Sequence, residues 1–246
     1  MKKLLGITTV IAFLPVMLFA DLVNITVHDG KYSGTGWWGY HEDNEVEPNC
    51  VPDQNWDLEG FFLDDNSNEL TMVGGYDFEK GYGGFSPGDI FIDADPDQNN
   101  GYDFVVQLDF GSDSENPSYT VYALDENSDL EDVYYGQNAG SNPWKCNVTD
   151  EDVVAEGNFS FTTVSGDNIY NVKGDADDDG HYVVGGIDLS FLGTAEFEVH
   201  YTMECGNDNL MGSGAISVPE PGTFSLLAMG SLCLFGFWAL RRKKEE

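Results

Sequence analysis

Asp175, Asp177 and Asp179 fall at alternate positions of the run Asp-Ala-Asp-Asp-Asp-Gly, which closes on Gly180. Carboxylates at that spacing can converge on one hard cation, and a glycine at the sixth position permits the sharp turn that calcium loops need. A helix–loop–helix site would need a bidentate glutamate at the twelfth position, where this chain has Gly186. Asp188 lies two residues later, in sequence that alternates like a strand. The expectation is therefore a calcium loop between strands, with a solvated acidic turn as the alternative. A second run, Asp93, Asp95, Asp97, Asn99 and Asp103, repeats the alternation but has Pro96 within it and no glycine at the sixth position. Calcium is the one cofactor these patterns point to.

Signatures of catalysis are absent. There is no Gly-x-Ser-x-Gly, no His-Glu-x-x-His and no glycine-rich phosphate loop. His28, His41, His181 and His200 are scattered. A non-enzymatic protein is expected, and a secreted polysaccharide hydrolase using a carboxylate pair is the third reading. The second is a lectin-like, carbohydrate-binding module. Tyr134, Tyr135 and Trp144 are the candidate sugar-stacking residues, and Trp37, Trp38, Tyr40 and Tyr82 sit in similar Gly/Asn-rich sequence. The same rings could instead pack the ends of the fold.

The elements that must hold these residues read as strands. Tyr102, Phe104, Val106, Leu108 and Phe110 alternate with Asp103, Gln107 and Asp109. Phe197, Val199, Tyr201 and Met203 alternate with Glu196, Glu198, His200 and Thr202, which are expected to face solvent. Weaker strand patterns cover 22–27, 56–63, 69–73, 119–124, 158–164, 169–172 and 182–189, separated by Gly, Asn, Asp and Pro clusters. No long helical period appears in the body. The fold class is all-β, an antiparallel β-sandwich with either jelly-roll or Ig-like order. Gly212–Ser217 reads as a flexible spacer, which bounds the sandwich domain at 21–211.

Charge narrows the partners. Residues 21–222 hold only Lys31, Lys80, Lys145 and Lys173 against 42 acids, a formal charge of −38. Such a surface repels nucleic acid, which is excluded as a partner. The chain's 16 Phe, 12 Tyr and 5 Trp argue against disorder, because disordered acidic chains lack aromatics. Of four cysteines, Cys233 lies near the C-terminus. A Cys50–Cys146 disulfide is expected, since both stand in Asn/Pro-flanked loop sequence, and Cys205 is left as a buried thiol.

Both ends carry addresses. Met1-Lys2-Lys3, the apolar Leu4–Phe19 and the small Ala20 form a signal peptide over residues 1–20. At the other end, Val218-Pro219-Glu220-Pro221 precedes an uncharged run from Thr223 to Leu240, which is followed by Arg241, Arg242, Lys243 and Lys244. As a helix those residues would span roughly 27 Å, enough for a bilayer core, with the basic cluster on the cytoplasmic side. Apolar length alone would read as a plain membrane anchor. Motif, spacing and basic end together resemble the PEP-CTERM sorting signal of Gram-negative bacteria, here covering 218–246.

That resemblance implies a substrate of exosortase, a membrane-embedded transpeptidase-like enzyme, with the tail cleaved near Pro219–Pro221. The signal peptide implies general secretion machinery and signal peptidase as further partners. The precursor would be held transiently in the inner membrane, facing the periplasm. The product would reach the cell surface or an extracellular matrix, in bacteria that make exopolysaccharide, biofilm or flocs. The stretches 44–48, 56–62, 88–93 and 202–211 are similar to other exosortase-dependent surface proteins, which supports location and fold rather than chemistry.

Overall fold

The computed structural model describes residues 22–27, 50–51, 53–96, 101–111, 116–149, 151–164, 180–193 and 196–216. The predicted signal peptide, strand 169–172 and sorting tail lie outside these residues. Within them the regular structure is antiparallel strand, interrupted only by short 3-10 turns at 54–56, 136–141 and 190–192.

One sheet comprises β1 (Leu22–Asn24), β2 (Leu58–Asp64), β3 (Glu69–Gly74), β11 (His181–Asp188) and β10 (Ser160–Val164), in the order β1-β2-β3-β11-β10. The other comprises β4 (Ile90–Asp93), β5 (Phe104–Asp109), β6 (Ser118–Ala123), β9 (Val153–Asn158), β12 (Glu196–Thr202) and β13 (Asn209–Ala215). Its order is β13-β12-β4-β5-β6-β9. β7 (Leu130–Glu131) and β8 (Lys145–Cys146) form a separate two-stranded ladder.

Local chemistry sets the hairpin between β2 and β3. The Asp64 carboxylate accepts from the Asn66 N–H at 2.8 Å, and Asn68 takes the left-handed conformation (φ 59°) that asparagine tolerates. Hydrogen bonding to the Asn66 N–H holds the Asp64 carboxyl below its ordinary pKa.

The two sheets share one hydrophobic cluster. Phe61, Leu70, Met72, Val184 and Ile187 come from the first; Ile90, Ile92, Val106, Val121, Phe197, Val199, Tyr201 and Leu210 come from the second. All of these are inaccessible to solvent. The alternation read in β5 and β12 is what delivers these side chains to one face.

The β12 face predicted to meet solvent does so only at one end: Glu196 is exposed and Glu198 half-buried, whereas His200 and Thr202 are enclosed. His200 is 1% exposed and Thr202 0%. Segment 130–149 covers them, and Phe91, Val105 and Cys146 form a second small core there, packed against Tyr102, Tyr122, Leu124 and Val148. Tyr102 belongs to this outer core, because β5 begins only at Phe104. Its ring stacks on His200 at 5.6 Å with a 15° interplanar angle.

A buried polar clamp holds the covering segment down. Asp89 Oδ2 accepts from the Cys146 N–H at 2.9 Å and from Gln107 Nε2 at 3.0 Å, and Gln107 Nε2 also donates to the Cys146 carbonyl. Burial raises the Asp89 carboxyl pKa, and those two donors work against the rise. Gly88 lies so close beneath the Thr202 and Trp144 carbonyls that an added Cβ would overlap both.

Enclosure changes His200 chemically as well. Burial pushes its imidazole pKa down to about 4, so the folded state keeps it neutral. An unfolded histidine titrates near 6.5, so the unfolded state takes up the proton first as pH falls. The contribution of His200 is complete above pH 6.5 and is lost between 6.5 and about 4, amounting to about 3 kcal/mol. His200→Gln is expected to flatten the fall in stability across that window, measured by urea unfolding at several pH values. An unchanged slope would assign the titration to other groups.

The predicted spacer is corrected. Gly212–Ala215 pair with β12 as the end of β13, and Ile216 is buried; Ser217 lies outside the described residues. Gly212 and Gly214 are small because Val199, Phe61 and Phe197 occupy the space their Cβ atoms would take. The segment after β1 seals the same edge. The Val27 N–H donates to the Met211 carbonyl and the Ser213 N–H to that of Ile25, each at 2.8 Å.

Candidate functional site

β4 ends at Asp93, and β5 begins just after Asp103. The antiparallel pairing of these strands brings the two ends of the intervening loop together, and Asp95 folds back between them. One carboxylate oxygen from each of Asp93, Asp95 and Asp103 lies within 4.8 Å of the others. Oxygens on opposite sides of a calcium ion are about 4.8 Å apart, given bonds of 2.3–2.6 Å. The three residues therefore fit one calcium ion with little rearrangement.

The backbone fixes this geometry. The Asp95 N–H donates to Asp93 Oδ1 at 3.0 Å, and the Ala94 N–H donates to Asp103 Oδ2 at 2.8 Å. The Asp103 N–H donates to the Ile92 carbonyl at 2.9 Å. Asp95 Oδ1 is shielded from solvent and has no hydrogen-bond partner among the described residues. Glu198 stands directly across the ladder from Asp93, adding a fourth carboxylate to the neighbourhood. Like charges directly opposed destabilise a sheet unless a counter-charge intervenes.

The electrostatics agree. Burial raises the Asp103 carboxyl pKa, the Ala94 N–H opposes the rise, and Asp95 and Asp93 add to it. Tyr102 is pushed up to about 12, by burial first and then by Asp93 and Glu198. Sequence spacing placed Asp93, Asp95 and Asp97 at the front of this cluster. The structure joins Asp103 to the first two, while Asp97 lies outside the described residues. Asp175, Asp177 and Asp179 lie outside them too. Glu198 was legible only as an outward strand residue, because the sequence does not say which strand faces it.

The predicted sugar-stacking residues separate. Trp144 is 6% exposed, held under the clamp described above, and is no platform. Tyr134 and Tyr135 are 68% and 39% exposed. Their ring centroids are 5.0 Å apart, and both adjoin Phe85, at 5.8 and 5.7 Å. Phe85 in turn meets Trp56 at 6.1 Å, and Trp56 meets the exposed Tyr82 at 5.0 Å. A continuous row of five rings results, in which Trp56 and Phe85 were missed as loop aromatics because Trp56 reads as the start of a strand.

The predicted Cys50–Cys146 bridge is not present. Cys146 is fully buried beside Phe91 and Val105, and burial pushes its thiol pKa up to about 12. Cys50 belongs to a different neighbourhood, where its thiol donates to Asn138 Oδ1 at 3.6 Å. The two loops that look alike in sequence dock on different parts of the fold.

No curated protein and no solved structure matches the chain. A family model described as the PEP-CTERM protein-sorting motif matches residues 217–243. The match spans Val218, Pro219, Glu220, Pro221, the apolar run and the first three residues of the basic cluster Arg241–Lys244. Such a motif directs an exported precursor to exosortase for processing at the cell envelope. By that tail the chain is a PEP-CTERM sorting-domain protein.

Proposed function

We propose that the mature chain is a non-enzymatic β-sandwich surface protein, released from its sorting tail into an exopolysaccharide matrix. The sorting motif at 217–243 carries this reading. Two sheets sharing one core make a sandwich the natural description of the body. In this reading calcium sits at Asp93, Asp95 and Asp103. It neutralises a strongly acidic surface locally and bridges protein to acidic polymer, which the bare protein would repel. Asp175, Asp177 and Asp179 would supply a second such loop. The precursor would face the periplasm of a Gram-negative cell before release. Fractionation of the native host tests the reading: the mature chain should co-purify with matrix polysaccharide, and chelation should free it. A chain found only in the membrane or the medium, indifferent to chelator, contradicts it.

A second reading, a carbohydrate-binding module, is favoured by the five-ring row from Tyr82 to Tyr134. Aromatic faces stack on apolar sugar faces, and the acidic surroundings select for uncharged glycans. Binding to a neutral polysaccharide that survives chelator and falls at least about tenfold in Tyr134→Ala or Tyr135→Ala, equivalent to ~1.4 kcal/mol, is then expected. A glycan array with no calcium-independent hit removes this reading.

A further inference from the structure

With Cys146 enclosed, two cysteines of the body remain, and the fold brings their loops together. Cys50 and Val51 lie against the turn that follows β12. The Asn207 side chain grips Val51 on both sides, accepting from its N–H and donating to its carbonyl, each at 3.1 Å. Asn138 links the same two segments. Its Oδ1 accepts from the Cys50 thiol at 3.6 Å, and its Nδ2 donates to the Cys205 carbonyl at 3.1 Å. Cys205 is 2% exposed at the edge of the main core, whereas Cys50 is half-buried. Burial raises the Cys205 thiol to about 11, and the neighbouring Cys50 thiol is among the smaller contributors.

We propose that Cys50 and Cys205 form the disulfide of this chain, across Asn138, once it meets a disulfide-bearing oxidant in the export compartment. The more exposed Cys50 reacts first. Its thiolate attacks one sulfur of the oxidant, forms a mixed disulfide and expels one thiolate. Cys205 then loses its proton and attacks the Cys50 sulfur, displacing the second thiolate. The two cysteines lose two protons and two electrons, and the oxidant's disulfide becomes two thiols. Exported proteins keep such bonds. This one would fasten the segment entering β2 to the β12–β13 turn.

Cleavage after lysine and arginine separates the body's cysteines, with Cys50 in 32–80, Cys146 in 146–173 and Cys205 in 174–241. The full-length chain is equilibrated with oxidised and reduced glutathione, alkylated and digested without reduction. Fragment sequencing then distinguishes Cys205 from Cys233. The expected product joins 32–80 to 174–241 through Cys50 and Cys205, with Cys146 alkylated after denaturation. A link from Cys50 to Cys146, or Cys50 and Cys205 each alkylated, overturns the proposal. Because the oxidant is supplied, this result does not depend on where the protein is sent. Thermal unfolding gives a second readout. Cys50→Ser, Cys205→Ser and the double variant should lower Tm equally, by roughly 4–16 °C, and only without reductant. Additive losses, or losses unchanged by reductant, contradict a shared bond.

Discussion

Replacing Pro219, Glu220 and Pro221 together with alanine is expected to stop tail removal in the native host. The three residues form the polar part of the matched segment, between the folded body and the apolar run. Pro219 and Pro221 each fix φ and lack a backbone N–H donor, and alanine removes both restrictions. The alanine variant loses the side chains of the matched motif. The uncleaved precursor should accumulate with its apolar run in the membrane, seen as a mass increase and membrane fractionation. Processing of the variant at the wild-type rate would show that the motif is not what the enzyme recognises.

Calcium removal should have the second large effect. Asp93, Asp95 and Asp103 are preorganised by backbone donors before any ion arrives, so little of the binding energy is spent on ordering the loop. An ion that binds only the folded chain, at about a hundred times its dissociation constant, adds roughly 2.7 kcal/mol, or about 5–11 °C in Tm for a domain of this size. Asp103→Asn should remove most of that shift while leaving the Ala94 N–H an oxygen acceptor. Asp177→Ala measures the other acidic loop independently. If the shift persists in Asp103→Asn and vanishes in Asp177→Ala, the site lies at 175–179. If the unmutated chain gains nothing from calcium, both loops are solvated turns.

β5 and β12 were legible because period-two alternation survives burial on one face, as in Phe197, Val199 and Tyr201, whereas the central β4, a short Ile-Phe-Ile run buried on both faces, has no alternation to read. Alternation reports which residues share a face but not what lies over it. His200 and Thr202 looked outward-facing by composition, yet segment 130–149 covers them, a long-range docking that no local pattern encodes. β9 escaped notice because it closes an edge with mostly exposed residues, so its hydrophobic signal is weak. Gly212–Ser217 resembled a linker for the opposite reason. Its glycines make room for Phe61, Val199 and Phe197, and small residues against a crowded core look in sequence like flexible ones.

The acidic site was partly legible for a physical reason too. Asp93 and Asp95 are close in sequence, while Asp103 joins them only through the β4–β5 pairing. The sorting tail needed no fold at all to be read, because a processing enzyme reads it as linear sequence.

The most direct test is the intact mass of the exported chain, purified from the native host and from the same host lacking exosortase. The account predicts a product in the first strain that ends at or near residues 218–221, and in the second a chain that retains 223–246. Identical masses in the two strains, with the tail present or absent in both, would contradict it.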